Sequence, residues 1–263
     1  MGLSGIQQFL WVSGFCGNCI LLAVLLARKR AAIFPAFTVL VAFSITKTII
    51  LFLIALRFGI RRSVPYFDAF WTLGYIGEVL ELVVFYELAR HVFCPTGTWA
   101  RDTRRAFQWL IAASVLLALG LSLLASPSSS RWYQTYQLRS DFFISMLMSE
   151  LFVGMMVLAA SAGLPWKTHV AKISQGFGIS AIISLILQGA NNYFGVGNGR
   201  HTYAVIGNAE RISTLFFIGF WIVTLWREAP APRELPDAML MQIYTLQRRV
   251  ENDLVRIRNW RRS

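Results

Sequence analysis

The sequence predicts an all-α, polytopic membrane protein, in which a bundle of seven transmembrane helices is followed by a C-terminal cytoplasmic amphipathic helix. Apolar residues make up 56% of the 263 residues and charged residues only 14%, whereas soluble domains carry about 25% charged residues. The mean hydropathy is +0.54. The few charges lie in short clusters, and the apolar stretches between them are long enough to cross a hydrocarbon layer of about 30 Å as helices.

Windows of about 19 residues place seven apolar spans along the chain. The predicted spans are residues 6–27, 35–57, 69–92, 106–125, 142–164, 173–195 and 204–226. Pro35 opens the second span, and Pro95-Thr96-Gly97 ends the third. The Gly-rich residues 195–199 predict a loop between the sixth span and the seventh. Because the connections are short, we expect neighbouring helices to be antiparallel.

The net charge of +12 indicates membrane topology and not nucleic-acid binding. Lys and Arg accumulate in the cytoplasmic loops of polytopic proteins, where anionic lipid head groups attract them. Of the 25 Lys and Arg residues, 17 lie on the side of the C-terminus and 7 on the opposite side, with Lys47 inside the second span. This bias predicts an N-terminus outside, a C-terminus in the cytoplasm, and anionic lipids of the inner leaflet as a partner.

The domain organisation follows from a change of character after residue 227. Residues 1–227 form the predicted seven-helix domain, residues 228–234 a Pro-rich linker and residues 235–263 a basic amphipathic helix. Its seam repeats with a 3,4 spacing at Leu240, Ile243, Gln247, Val250, Leu254 and Ile257. Arginines surround the seam at Arg248, Arg249, Arg256, Arg258, Arg261 and Arg262. Such a helix lies on the membrane or against the bundle, or it binds a protein partner or a second copy as a coiled coil.

Several polar residues lie inside the predicted spans, where a charge costs about 2.5 to 3.5 kcal/mol on insertion scales. We hypothesise that they line one outward-facing polar pocket, formed by Lys47, Glu78, Glu81, Glu150, Gln188, Asn191, Glu210 and Arg211. The alternative is a structural network in which Lys47 and Arg211 neutralise two of the carboxylates, others are protonated, and the network only fixes helix packing. Glu78 and Glu81 fit this alternative least, because two carboxylates one turn apart repel each other unless a cation or proton intervenes.

Two well-known membrane chemistries do not fit this sequence. The seventh span contains no Lys for a retinal Schiff base. His91, His169 and His201 lie at membrane edges on different sides, which excludes the tri-histidine zinc site of membrane hydrolases. We therefore expect no metal and no cofactor.

The segments Phe34-Pro35-Ala36-Phe37 and Phe85-Tyr86-Glu87-Leu88-Ala89-Arg90 stand at the start of the second span and the end of the third. In these segments the chain resembles a set of uncharacterised seven-helix bacterial membrane proteins. The resemblance implies a multi-pass protein of the bacterial inner membrane, and it implies no activity. We also expect Glu87 to pair with Arg90 and His91, which follow it at i+3 and i+4.

Three functions fit these patterns. The leading hypothesis is a sensory or interaction protein, whose pocket binds a small solute or partner and whose tail reports to a cytoplasmic partner. The alternative is a proton- or cation-coupled transporter with a carboxylate relay, which would predict internal repeats or broken helices near the midplane. The third is an enzyme acting on a lipid-linked substrate, with Glu78 or Glu81 as general base. Whether the chain is an enzyme stays open, although the patterns favour a non-enzymatic role.

Overall fold

The computed structural model describes residues 5–58, 64–93, 101–124, 132–161 and 169–227, without the side chains of residues 58, 64, 101–104, 132–138, 159–161 and 191–204. Every secondary-structure element in these residues is an α-helix. The helices are α1 (Gly5–Ala27), α2 (Pro35–Phe58), α3 (Val64–Phe93), α4 (Arg101–Leu124), α5 (Trp132–Ser161) and α6 (His169–Trp226). The predicted linker and C-terminal helix, with the tail arginines at positions 248–262, lie outside the described residues.

Seven segments of the described chain are long and apolar enough to cross a membrane, which confirms the predicted seven-helix transmembrane fold. Helix α6 carries two of them, His169–Ala190 and Val205–Trp226, so the backbone is helical at residues 195–199, where a loop was expected. The two spans nonetheless pack side by side, because the ring centroids of Phe177 and Trp221 are 4.7 Å apart. A straight helix would separate these residues by about 66 Å, so the chain reverses direction between the two spans.

Several helices begin earlier than the apolar pattern predicts, α4 and α5 among them. Helix α5 begins at Trp132 and α4 at Arg101, whereas the predicted spans begin at residues 142 and 106. The added residues of α4 and α5 are mostly polar but include neither Gly nor Pro, so nothing in them stops the helix. Hydropathy identifies the part of a helix that fits hydrocarbon and not the point at which the helix ends. The extension of α5 brings Asp141 into the bundle.

Two apolar clusters hold the helices together. The first joins α1, α2, α3 and α6 around Leu25, Phe37 and Leu225. The second joins α3, α4 and α5 around Phe107 and Phe152. Many other large apolar side chains face outward from the bundle, which is the arrangement that a hydrocarbon solvent favours.

A carboxylate of α3 caps the first turn of α2. Helix α2 begins with Pro35, and the carbonyl oxygen of Phe34 accepts a hydrogen bond from the Thr38 N–H (3.0 Å), so Phe34 is the N-cap residue. A phenylalanine offers no side-chain acceptor for the free N–H groups of the first turn. The oxygens of Glu87 accept these hydrogen bonds instead, from the N–H groups of Ala36 (3.0 Å) and Phe37 (3.1 Å).

This cap replaces the pairing of Glu87 with Arg90 and His91 that the spacing predicts. Both carboxylate oxygens of Glu87 serve α2, and Glu87 makes no ion pair within the described residues. The Nδ1 atom of His91 lies 2.9 Å from the carbonyl oxygen of Glu87 and not from its carboxylate. The physical reason is that unpaired backbone N–H groups cost several kcal/mol in a membrane, whereas an exposed ion pair contributes about 0 to 1 kcal/mol.

Helix α1 ends in a left-handed residue. Lys29 has a φ of 54°, in the region that favours glycine. The N–H of Arg30 donates to the carbonyl oxygen of Leu25 (2.8 Å), and the N–H of Lys29 donates to that of Leu26 (3.0 Å). This is the hydrogen-bond pattern of a Schellman motif. It fixes the backbone of the short connection between α1 and α2.

Lys29→Gly is expected to stabilise the bundle by about 0.5 to 1 kcal/mol. Glycine avoids the cost of about 1 to 2 kcal/mol of a left-handed L residue, and part of this gain is offset by its larger conformational entropy in the unfolded chain. Thermal unfolding of the detergent-solubilised protein measures the effect. Lys29→Ala removes the same charge but keeps a Cβ atom, so an equal stabilisation by both variants would contradict this explanation.

Candidate functional site

A cavity of about 270 Å³ lies inside the bundle, between α1, α2, α3, α5 and both spans of α6. Its polar lining includes Asn18, Ser44, Glu81, Ser145, Ser184 and Glu210. Its apolar lining includes the rings of Phe37, Phe177 and Trp221. Two carboxylates and three aromatic rings from distant parts of the sequence therefore face the same space.

One end of the bundle is identified by the contact between Arg28 and Trp226. The guanidinium carbon of Arg28 lies 4.7 Å from the centroid of the Trp226 ring, so the end of α1 and the end of α6 lie side by side. The cap of Glu87 places the end of α3 and the start of α2 together as well. We call this the Arg28 end of the bundle.

An aromatic layer closes the cavity toward the Arg28 end. The ring centroid of Trp221 lies 5.4 Å from that of Phe37, 4.7 Å from that of Phe177 and 6.4 Å from that of Phe217. Three side chains farther toward that end are at most 2% exposed, namely Leu25, Phe34 and Leu225. The cavity therefore has a packed hydrophobic floor.

The two carboxylates of the lining lie well above this floor. Along the helix axes, Glu81 is about 18 Å from the last residue of α3 and Glu210 about 24 Å from the last residue of α6. Glu210 is exposed, although it also lines the cavity. The cavity thus reaches the surface of the bundle at the level of Glu210, on the side away from the Arg28 end.

An acidic cluster adjoins the cavity at Glu81. The ammonium group of Lys47 lies within electrostatic range of Glu81, Glu78 and Asp141, and 5.7 Å from the centroid of the Phe70 ring. The carboxyl groups of Glu78 and Asp141 are within hydrogen-bonding range of each other. Two carboxylates this close repel each other, so the pair requires a shared proton or a cation. Lys47 can offset only one of the three negative charges.

Gln188 and Arg211 lie next to the cavity but do not line it. The Nε2 atom of Gln188 donates a hydrogen bond to the Oγ atom of Ser145 (3.1 Å), and Ser145 is part of the lining. Arg211 is exposed and lies within electrostatic range of Glu210. Both residues can therefore influence the lining through a neighbour.

Glu150 and Asn191 complete the set of predicted pocket residues. The carboxyl group of Glu150 lies beside the buried Ser114 of α4, and Glu150 is not among the residues that line the cavity. The side chain of Asn191 lies outside the described residues. The structure thus brings Lys47, Glu78, Glu81 and Glu210 together and directs Glu150 to a different helix pair.

Asp141 belongs to the acidic cluster, although it immediately precedes the predicted fifth span. A signal for it exists in the sequence, because Asp141, Ser145 and Met148 recur at i, i+4 and i+7 and so share one helix face. Ser145 and Met148 both line the cavity. Extending the helix by one turn beyond the apolar pattern would have placed Asp141 on the same face.

Comparison with known proteins gives no relative from which to transfer an activity. No protein-family model, curated protein or solved structure matches this chain. The resemblance to uncharacterised seven-helix bacterial membrane proteins, which rests on residues 34–37 and 85–90, therefore remains a prediction. What the chain does has to be inferred from the chemistry of its own residues.

Proposed function

We propose that this chain is a multi-pass membrane receptor that binds a small organic cation in its cavity. The observation that carries the proposal is the lining, in which Glu81 and Glu210 face the same space as Phe37, Phe177 and Trp221. None of the described Lys and Arg side chains lines the cavity. Carboxylates attract a cation electrostatically, and the faces of aromatic rings bind ammonium groups.

The size of the cavity favours a small amine or quaternary ammonium compound, and the hydrogen-bond acceptors of its lining suit the amine. The volume of about 270 Å³ is close to the lower end of the range of about 300 to 1,000 Å³ for small-molecule sites. The hydroxyl groups of Ser44 and Thr214 donate to backbone carbonyl oxygens (3.0 Å each), so their oxygens can accept from a ligand N–H. A single metal ion would leave most of this volume and the aromatic rings without a contact.

The second span of α6 connects the cavity to the tail. Glu210, Thr214, Ile218 and Trp221 recur on one face of this span and line the cavity, and the helix ends at Trp226. A shift of this span on ligand binding would therefore pass directly into residues 228–263. We propose that the tail then reports occupancy, through its predicted amphipathic helix, to a protein partner or to the membrane surface.

The proposed orientation places the Arg28 end in the cytoplasm of a bacterial cell, with the protein in the inner membrane. The basic residues at this end support it, since Arg28, Lys29, Arg30, Arg90 and Lys172 all lie near the helix ends that meet there. Cytoplasmic loops carry such an excess of Lys and Arg. The cavity would then open outward, with the N-terminus outside and the C-terminus inside.

Glu81→Gln is expected to weaken binding of the cation by about 10- to 100-fold, because it removes the charge partner in a partly desolvated site. The measurement is calorimetric titration of the protein in nanodiscs with primary alkylamines and tetramethylammonium, alongside neutral isosteres. Glu150→Gln is the matched control. It also removes an intramembrane carboxylate, but one that lies beside Ser114 and outside the cavity lining.

Two results would contradict the proposal. One is equal binding of the neutral isosteres, and the other is an equal loss in Glu81→Gln and Glu150→Gln. The reporting role is tested separately by removing residues 235–263. We expect this deletion to leave cation binding intact and to abolish capture of a cytoplasmic partner, so unchanged partner capture would limit the function to binding alone.

The acidic cluster favours a second candidate, a proton- or cation-coupled transporter. The Glu78 and Asp141 carboxyl groups lie within hydrogen-bonding range, and a pair that shares one proton is a natural relay site. Proton flux in proteoliposomes distinguishes the candidates. Cation-dependent flux that Glu81→Gln abolishes would favour transport, whereas binding without flux would favour the receptor.

A further inference from the structure

Three basic side chains meet at the Arg28 end, apart from the cavity. Arg30 lies in the connection between α1 and α2, and His169 and Lys172 lie on one face of the first turn of α6. His169 is within electrostatic range of both Arg30 and Lys172. The start of a helix also carries a partial positive charge. Arg30, Lys172 and the start of α6 therefore gather positive charge in one place, beside His169.

The backbone of Arg30 is fixed by the structure around it. Its N–H donates to the carbonyl oxygen of Leu25 (2.8 Å), and its carbonyl oxygen accepts from the N–H groups of Ile33 (3.0 Å) and Phe34 (2.9 Å). The Nε atom of its guanidinium group is buried and has no hydrogen-bond partner among the described residues. Arg30 is thus held in place with a strong donor unused.

The side chain of His169 also lacks hydrogen-bond partners. Its side chain is only 6% exposed, yet neither Nδ1 nor Nε2 has a hydrogen-bond partner in the described part of the chain. A buried imidazole normally has a partner on at least one nitrogen. Two buried, unused nitrogen atoms beside two cations indicate a missing acceptor.

The carboxylate of Glu87, at the same end of the bundle, is already engaged. Both oxygens of Glu87 accept hydrogen bonds from the first turn of α2. Among the described residues, no carboxylate contributes to the electrostatic surroundings of His169. The described residues therefore supply no acceptor and no negative charge to His169.

We propose that Arg30, His169 and Lys172 form a binding site for a phosphate group. Phosphate offers several strong acceptor oxygens and a negative charge, which match the guanidinium, imidazole and ammonium donors and the positive start of α6. Arg30 and Lys172 are partly exposed and give an anion access to the cluster. The phosphate belongs either to a phospholipid head group or to a soluble molecule, because His169 is the first residue of its membrane span.

The test uses the full-length protein and thermal unfolding. In neutral detergent, inorganic phosphate is added against sodium chloride of equal ionic strength, since salt alone screens the cluster. In a second series in the same detergent, phosphatidylglycerol is added against a glycolipid whose head group contains no phosphate. We expect a rise in Tm with one or both phosphate sources, and an apparent affinity at least about tenfold weaker in Arg30→Gln and His169→Gln. Arg90→Gln removes an exposed cation near the same end and is expected to keep the full effect.

Each outcome is decisive. Stabilisation by phosphatidylglycerol alone assigns the site to a lipid head group, and stabilisation by inorganic phosphate as well assigns it to a phosphate group in general. No stabilisation of the unmodified protein beyond sodium chloride would overturn the proposal. An equal loss of affinity in Arg90→Gln would overturn it too. Lys172→Gln, at a partly exposed position, keeps the test available if the substitution of a buried residue prevents folding.

Discussion

Gly178→Ala is expected to lower the free energy of unfolding of the bundle by about 2 kcal/mol, although alanine is the better helix former by about 1 kcal/mol. A Cβ atom at Gly178 would overlap the ring of Phe152. Phe152 is buried in the cluster that joins α3, α4 and α5, so its ring cannot move without repacking several neighbours. Overpacking of this kind costs about 1 to 3 kcal/mol and occasionally more, and close contact at small residues is a main source of helix association in membranes.

Gly189→Ala is the matched control in the same helix. A Cβ atom at Gly189 meets no atom of the described structure within 4 Å, so the variant should be neutral or slightly more stable. Phe152→Leu, combined with Gly178→Ala, should recover part of the loss in a double-mutant cycle. Thermal or denaturant unfolding in detergent measures the unmodified protein, the three single variants and the double variant. Equal destabilisation by both alanine variants would show that the ring contact is not the cause.

Glu87→Leu is expected to destabilise the protein by about 3 kcal/mol, even though leucine is the more favourable residue in hydrocarbon. The substitution leaves the N–H groups of Ala36 and Phe37 without their acceptors, and an unpaired buried donor costs about 1 to 3 kcal/mol. Glu87→Gln keeps one acceptor oxygen and should lose about half as much. Unfolding in detergent is again the measurement.

Arg90→Gln separates the cap from an ion pair. If Glu87 acts by capping α2, the loss of Arg90 should change stability by less than about 0.5 kcal/mol, as at most exposed positions. If Arg90→Gln destabilises the protein as much as Glu87→Leu does, the contribution of Glu87 is an ion pair. Tyr86→Leu, next to Glu87 at an exposed position, controls for general effects of a substitution at this end of α3.

The seven spans could be predicted because hydropathy averages over about 20 residues, and a single charge does not outweigh such a stretch. The ends of the helices could not, since the residues from Trp132 to Asp141 are mostly polar and yet helical. The cap by Glu87 leaves a sequence signal that is easy to overlook. Pro35 opens a helix after an apolar residue, so its first turn needs an acceptor from elsewhere in the chain.

Some of the residues that line the cavity could also be predicted from the sequence. The cost of a charge in hydrocarbon identifies Glu81 and Glu210 as unusual wherever they point. It does not tell which neighbouring helix each side chain faces. Glu150 follows Ser145 by five residues, which turns it by about 140° around the helix, toward Ser114 and away from the cavity. Only the packing of α5 between α4 and α6 decides that direction.

The packed floor beneath the cavity also determines where an electric field across the membrane would act. Water and ions in a polar cavity that reaches the surface at Glu210 would place most of the voltage across the layer between Trp221 and the Arg28 end. A full charge that crosses the whole field gains about 2.3 kcal/mol per 100 mV. In the proposed receptor, a cation that moves from the surface to Glu81 crosses part of this field. Its occupancy is therefore expected to rise when the Arg28 end is electrically negative, and to respond to membrane voltage as well as to concentration.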